Sequence, residues 1–240
     1  MIKFFRKIRQ NLLLEGKTEK YLKYAIGEIV LVVIGILIAL QINNWNEHNK
    51  KKQDERILLM AVLENLELDS VSLASLVHNQ ARILDVHKKL IGITKGSNTS
   101  EDIENLGLLR RSLPNRLTLK SNYPELPNQV LDETVKSAVL NYYQVQYGFD
   151  FTTNMYNNIL EESLRPYLGE KGLLNFGNQL DDMSTWLNET KFYKEFQKPE
   201  LQQLIFNVGV KLNLITQFSD RWMESNISLK KTIESYLDNS

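Results

Sequence analysis

The chain has 240 residues, 29 Lys and Arg against 29 Asp and Glu, no cysteine and 42 % apolar residues. This length suits one globular domain, and the absence of cysteine excludes disulfide bridges, thiolate metal sites and cysteine nucleophiles. The charges are unevenly distributed: residues 1–23 carry seven basic and two acidic side chains, whereas residues 46–240 carry 22 basic and 26 acidic ones.

The first residues have the pattern of an amphipathic helix. Phe4 and Phe5 fall on the same side as Ile8, and the basic residues fall largely opposite. Such a segment is expected to lie on a membrane surface that contains anionic lipids, although a disordered basic leader is the alternative. The cytoplasmic basic cluster comprises Lys3, Arg6, Lys7, Arg9, Lys17, Lys20 and Lys23.

A membrane-spanning helix is predicted from Tyr24 to Trp45. The stretch has 22 residues, which as a helix measures about 33 Å and matches a hydrocarbon core of about 30 Å. Because the basic cluster precedes this helix, we expect the N-terminus in the cytoplasm and the rest of the chain across the membrane. The expected interfacial anchors are Phe4, Phe5, Tyr21, Tyr24 and Trp45.

A cleaved signal peptide is the alternative, since the uninterrupted apolar stretch Ile29–Leu40 is short and follows a basic region. The residues after it, Gln41 to Trp45, offer no pair of small residues for a signal peptidase. We therefore favour an uncleaved anchor.

One face of the predicted span carries a carboxyl group and two small residues. Its residues are Glu28, Leu31, Gly35, Ala39 and Ile42. Gly35 and Ala39 form a small-xxx-small pair, which allows close approach of a second helix. Glu28 either contributes to that packing, takes part in proton chemistry, or lies at the level of the lipid headgroups.

At these residues the sequence resembles a known family. The segment FFRKIRQNLLLEGKTEKYLKYAIGEIVLVVIGILIALQINNWNE is similar to the N-terminal signature of an uncharacterised, membrane-anchored family of Bacteroidota bacteria. The resemblance is strongest over residues 1–47 and is loose from Leu131 to Tyr143. It implies a bacterial inner-membrane protein with a helical periplasmic domain, and it supplies no activity or catalytic residues.

Beyond the span, apolar residues recur at spacings of four and three, which predicts a long helix from Gln53 to Ile93. No Gly or Pro separates it from the span, so one continuous helix is possible. Ser100 is expected to cap a short helix over Glu101–Leu113, which Pro114 ends. Residues 115–127 are the least regular. The residues of the predicted seam are Leu59, Leu63, Leu66, Ser70, Leu73, Val77, Gln80, Leu84, His87 and Ile91.

The second half of the chain is also helical in pattern. Residues 128–168 are predicted as a helix, with a possible break near Gly148 and an end at Pro166 and Gly169. Shorter helices are expected within residues 172–198. The clearest periodicity begins at Pro199 and continues to Tyr236. Its seam comprises Leu201, Ile205, Val208, Leu212, Ile215, Ser219, Trp222, Asn226, Leu229, Ile233 and Tyr236.

The predicted fold class is all-α: a single N-terminal transmembrane helix followed by an antiparallel helical bundle with long first and last helices. The predicted domains are a cytoplasmic segment (1–23), the transmembrane helix (24–45) and a periplasmic bundle (46–240). The alternative for the heptad seams is an oligomeric coiled coil.

The sequence offers few signs of chemistry. Gly16-Lys17-Thr18 imitates the end of a phosphate-binding loop, but the glycine required upstream is Asn11. No second histidine lies at ligand spacing from His78, and His87 falls on the helix seam. The tyrosines and phenylalanines between Tyr142 and Tyr156 are expected to pack in the core, with a small-molecule pocket as the alternative. We expect no cofactor, metal or catalytic residues, and an acidic domain across the membrane disfavours nucleic acid.

Two functions remain. The first is a non-enzymatic interaction or scaffold protein, such as an accessory module of a membrane complex, with an envelope protein or a second copy as its partner. The second is a sensory or regulatory ectodomain that signals through a membrane partner.

Overall fold

The structure is a computed structural model that describes residues 18–114, 119–175 and 186–239. The predicted amphipathic segment up to residue 17 lies outside these ranges. The described residues are mostly helical and contain no strand, only an isolated antiparallel bridge between Leu174 and Leu187, so the all-α prediction is confirmed for them. The α-helices are α1 (Thr18–Thr94), α2 (Leu119–Asn122), α3 (Leu126–Gln129), α4 (Glu133–Ile159), α5 (Arg165–Glu170), α6 (Glu189–Glu195) and α7 (Pro199–Asn239).

The chain divides into two compact units, Met1–Arg56 and Ile57–Ser240. This division does not test the predicted domain boundaries at residues 23 and 45, which remain predictions. In the first unit, the apolar part of α1 is unburied, with a mean hydropathy of 2.6 over its most apolar window. By length and composition, the described residues thus include one helix that could cross a membrane.

In the second unit, α1 buries a stripe that is rotated from the predicted seam. Leu59, Leu66 and Leu73 are buried as expected, but Leu63 and Leu84 are only half-buried. Their places are taken by residues one position earlier, including Val62, Asp69 and Ile83. The predicted and the observed stripe share every second residue, such as Leu59, Leu66 and Leu73. They differ in the residues between these, and the apolar pattern alone favours the wrong set.

Helix α7 matches its prediction. Ten of the eleven predicted seam residues are buried, and Tyr236 is half-buried. Contacts between α7 and α1 proceed in opposite order along the two helices: Asn226 bonds near Leu66, Ser219 bonds Gln80, and the main chain at Ile205 meets His87. These parts of α1 and α7 therefore run antiparallel.

Helix α4 is not broken at Gly148, contrary to the expectation. The side chain of Asp132 caps its first turn by accepting hydrogen bonds from the main-chain N–H groups of Thr134 and Val135, both at 2.9 Å. Gly148 lies within the helix because the Phe218 ring of α7 packs against it: a Cβ added there would lie 2.4 Å from Cε1 of that ring.

The helix continues past Pro166 because the turn before it is wide. Residues Leu160–Leu164 form a π-helical turn, and Pro166 lies in the first turn of α5. Proline lacks an N–H and crowds the carbonyl four residues earlier, so a widened turn accommodates it without ending the helix. The predicted end at Gly169 is nearly correct, since α5 ends at Glu170.

The segment after α1 differs from its prediction. In place of one helix over Glu101–Leu113 there are two short 3-10 helices, Ser100–Asp102 and Leu106–Arg110. The cap is Thr99, whose main-chain N–H donates to the Asp102 carboxylate at 2.7 Å, and not Ser100. The buried run from Leu106 to Leu109 is too short and too apolar all round to follow helical periodicity. Within residues 172–198, the expected short helices are represented by α6 in the described part.

Candidate functional site

The predicted packing face of the membrane helix is largely exposed in the structure. Leu31 is 68 % exposed and Ile42 60 %, and a Cβ added to Gly35 would meet nothing within 4 Å. Ala39 is exposed as well, whereas Glu28 is partly buried and makes an interaction within the structure. Nothing in the structure tests whether this face packs against another helix.

The predicted anchors and basic cluster are only partly described. Trp45 is 65 % exposed, and the side chain of Lys23 is exposed too. The remaining residues lie outside the described chain (Phe4, Phe5, Lys3, Arg6, Lys7, Arg9 and Lys17) or are described by their main chain alone (Lys20, Tyr21 and Tyr24).

A buried polar network joins α1, α4 and α7. The Tyr142 hydroxyl donates to the Asp69 carboxylate at 2.8 Å, and the Asn226 amide approaches the same hydroxyl at 3.5 Å. Asn226 also donates to the carbonyl of Leu66 at 3.0 Å and accepts from the Ser70 hydroxyl at 2.7 Å. One amide thus satisfies a main-chain group and two side chains, which fixes the positions of all three helices.

The environment of this network disfavours charge on its acidic members. Burial raises the pKa of Asp69, although hydrogen bonds from Tyr142 and from the main chain of Leu119 act in the opposite direction. Burial also raises the pKa of Tyr142, and the neighbouring Asp69 charge adds to the effect. Tyr142 therefore stays protonated and donates its hydrogen bond.

His87 is a second buried titratable group. Its Nδ1 lies 3.2 Å from the carbonyl oxygen of Ile205, so Nδ1 carries the proton and donates it. Its Nε2 is buried without a partner among the described residues. Burial lowers the pKa of the imidazole from 6.5 to about 4, while the bond to Ile205 acts in the opposite direction. His87 is thus a neutral core residue, as its seam position indicated.

Side-chain to main-chain bonds hold the loop after α1 against α4. Asn157 forms a pair of bonds with the main chain of Leu113, at 3.0 and 2.9 Å. The Tyr156 hydroxyl donates to the carbonyl of Arg111 at 3.0 Å, and Arg165 donates to the carbonyl of Arg110 at 2.6 Å. These bonds fix the main chain of Arg111 and Leu113.

That fixed loop borders a partly open cavity of about 330 Å³, whose other walls are α1 and Trp222 of α7. Asp69, the acid of the polar network, lies in its wall together with Trp222 and Arg111. The indole N–H of Trp222 is buried beside the Tyr142 hydroxyl but makes no hydrogen bond of normal geometry. The wall of this pocket therefore includes an acidic, a basic and an aromatic residue.

The outer side of the domain exposes apolar rows on two helices. On α4, Leu140, Tyr147 and Phe151 are 50 %, 63 % and 56 % exposed. On α7, Phe206, Val210 and Leu214 recur every four residues and are exposed. The expectation that the aromatic residues of α4 belong to the core is wrong for Tyr147 and Phe151.

Sequence reasoning missed Asp69 and Arg111 as site residues. Asp69 could have been found as a charged residue that falls on the alternative buried stripe of α1, between Leu66 and Leu73. The sequence gives no comparable indication for Arg111, because its position beside the cavity depends on how the loop folds. Among the described residues no group of three or more His, Cys, Asp or Glu side chains could hold a metal ion.

Part of the chain matches a known protein family. Residues 28–140, a little under half of the chain, match a family described as "Family of unknown function (DUF6090)". This supports the predicted similarity to an uncharacterised family, over a region that begins later and extends further than residues 1–47. No curated protein and no solved structure matches the chain.

Proposed function

We propose that this chain is a non-enzymatic, single-pass membrane protein that acts as an interaction module of a membrane complex. Residues 24–45 span a bacterial inner membrane, with the N-terminus in the cytoplasm beside anionic lipids. Residues 46–240 form an antiparallel helical bundle in the periplasm. An apolar, unburied helix that follows a basic segment supports this arrangement.

The observation that carries the proposal is the pair of exposed apolar rows on α4 and α7. Single exposed apolar residues are common, but large ones repeated on one helical face mark interaction surfaces. The contact of Gly148 with Phe218, and the bond between Asn141 and Ser225 at 3.4 Å, fix the register of these antiparallel helices. One turn beyond the first contact, Phe151 and Leu214 therefore lie at the same level along the two helices, where the two rows come nearest to each other.

The membrane helix is the second proposed contact. Glu28, Leu31, Gly35, Ala39 and Ile42 lie on the same side of the helix, and Gly35 leaves open space for a partner helix. A partner that contacts both this face and the apolar rows is a membrane or envelope protein, or a second copy of the chain.

The test is purification of the full-length protein from its native membrane in mild detergent, with mass determination of the particle. We expect a stoichiometric partner that is lost in Gly35→Leu and in the double variant Tyr147→Ser with Phe151→Ser. Val33→Leu is the control, because Val33 is exposed and lies about 160° around the helix from this face. A monomer, or an assembly that all these variants leave intact, contradicts the proposal.

A sensory or regulatory ectodomain is the second candidate, and the cavity beside Asp69 favours it. A ligand that binds only the folded state raises the melting temperature by mass action. Ligand-dependent melting of the purified protein therefore distinguishes this function from constitutive docking.

A further inference from the structure

We propose that the cavity between α1, α7 and the loop at Arg111 binds a small zwitterion with an apolar group, of the chemical class of leucine and phenylalanine. The site is independent of the docking function proposed above, because it requires no membrane partner and involves neither apolar row.

The size of the cavity suits a small molecule. Its volume of about 330 Å³ is at the lower end of the range for ligand pockets, about 300–1,000 Å³. It is too small for a lipid chain with its headgroup. Its walls come from three separate parts of the chain that hydrogen bonds hold in place, so the site is preformed.

An acidic residue, Asp69, and a basic residue, Arg111, line this cavity and form no ion pair with each other. The Asp69 side chain is 2 % exposed, and its partners are the Tyr142 hydroxyl and the main chain of Leu119, which are both neutral. The described residues form no ion pair with either Asp69 or Arg111. A buried carboxylate that lacks a counter-charge is unfavourable, so a ligand cation there gains more than it would in water.

The remaining wall defines the rest of the ligand. Leu73, Leu76, Leu113 and Pro114 supply apolar surface, and the Trp222 ring adds an aromatic face.

These features together fit an amino acid. Its ammonium group binds Asp69, its carboxylate binds Arg111, and its apolar side chain packs against the leucines and Trp222. A simple cation would leave Arg111 unused, and a simple anion would meet the carboxylate of Asp69. A zwitterion satisfies both charges at once.

The experiment is isothermal titration of the full-length protein in detergent with L-phenylalanine and L-leucine. N-acetyl-phenylalanine lacks the ammonium charge, and phenylalaninamide lacks the carboxylate. We expect both derivatives to bind about ten- to a hundredfold more weakly than phenylalanine, which is the value of one hydrogen bond to a charged group.

Variants test which residue recognises which charge. Arg111→Gln should weaken phenylalanine binding by a similar factor and remove the preference for phenylalanine over its amide. Asp69→Asn keeps an acceptor for Tyr142 and should remove the preference for phenylalanine over its N-acetyl form. Arg82→Gln is the matched control, since Arg82 is exposed on α1 outside this cavity.

Circular dichroism of each variant verifies that it is folded. Three results would overturn the proposal: no saturable binding of either amino acid at millimolar concentration, equal binding of phenylalanine and both derivatives, or variants that leave these preferences unchanged. None of these results bears on co-purification of a membrane partner, so the two proposals can fail separately.

Discussion

The stability of the domain should fall in mild acid because of His87. The side chain is fully buried, and its pKa in the folded protein is about 4 against 6.5 in the unfolded chain. As the pH falls below 6.5, the imidazole of His87 becomes protonated in the unfolded chain but stays neutral in the folded protein, so protonation favours unfolding. The stabilisation is therefore complete above pH 6.5 and is lost by about pH 4.

The size of this loss of stability follows from the difference between the pKa values of His87 in the folded and unfolded states. It corresponds to about 3 kcal/mol of unfolding free energy. Since typical domains unfold with about 5–15 kcal/mol, this is a substantial fraction of the total. The burial of Asp69 acts in the opposite direction: a raised pKa in the folded state gives stability at low pH that is lost as the pH rises.

A comparison of wild type with His87→Asn isolates the histidine. The amide Nδ2 of asparagine can replace Nδ1 as donor to the carbonyl of Ile205, but it does not titrate. Urea denaturation of the full-length protein in detergent, between about pH 7.5 and about pH 4.5, measures both unfolding free energies. We expect the advantage of wild type over the variant to shrink by about 2–3 kcal/mol across this range.

The matched control is His78→Asn, because His78 is exposed on the same helix. It is measured at the same two pH values. If the difference between wild type and His87→Asn is the same at both pH values, His87 is not held neutral by burial and the reasoning is wrong.

Two further predictions concern packing and the polar network. Gly148→Ala should destabilise the domain by about 1–3 kcal/mol, because the new Cβ meets the Phe218 ring. In a Phe218→Ala background the same change should stabilise by about 1 kcal/mol, since alanine is the better helix former; destabilisation in both backgrounds would show that the ring is not the cause. Tyr142→Phe should lower the unfolding free energy by about 1–3 kcal/mol, because the buried Asp69 carboxylate loses a donor; a denaturation midpoint equal to that of wild type would contradict this role.

The sequence predicted the long helices well and the loop poorly. The pattern of α7 is strong because most of its seam is apolar, so its bounds and buried face could both be predicted. The pattern of α1 is ambiguous because Gln80 and His87 occupy the seam while Asp69 occupies the alternative stripe. Periodicity assigns polar residues to the surface, and so it fails where hydrogen bonds satisfy them inside.

The candidate site was beyond prediction for the same reason. Arg111 lines the cavity because Tyr156, Asn157 and Arg165 bind the main chain around it. Such bonds join residues more than forty positions apart, and no local pattern records them. Gly148 is a further case in which a distant residue decides. The low helix propensity of glycine indicated a break, but the helix continues, and the Phe218 ring occupies the space that a side chain at position 148 would fill.

The wide turn at Leu160–Leu164 has a consequence for how the helix is wound. Tyr156, Leu160, Leu164 and Leu168 are all buried at a constant interval of four residues. With about 3.6 residues per turn, such a row would rotate by about 40° at every step and leave the core after two or three. A π-helical turn has more residues per revolution and reduces that rotation. The constant interval of four buried residues is therefore the sequence pattern that corresponds to the wide turn. Deletion of one residue from this turn would rotate Leu168 away from the core.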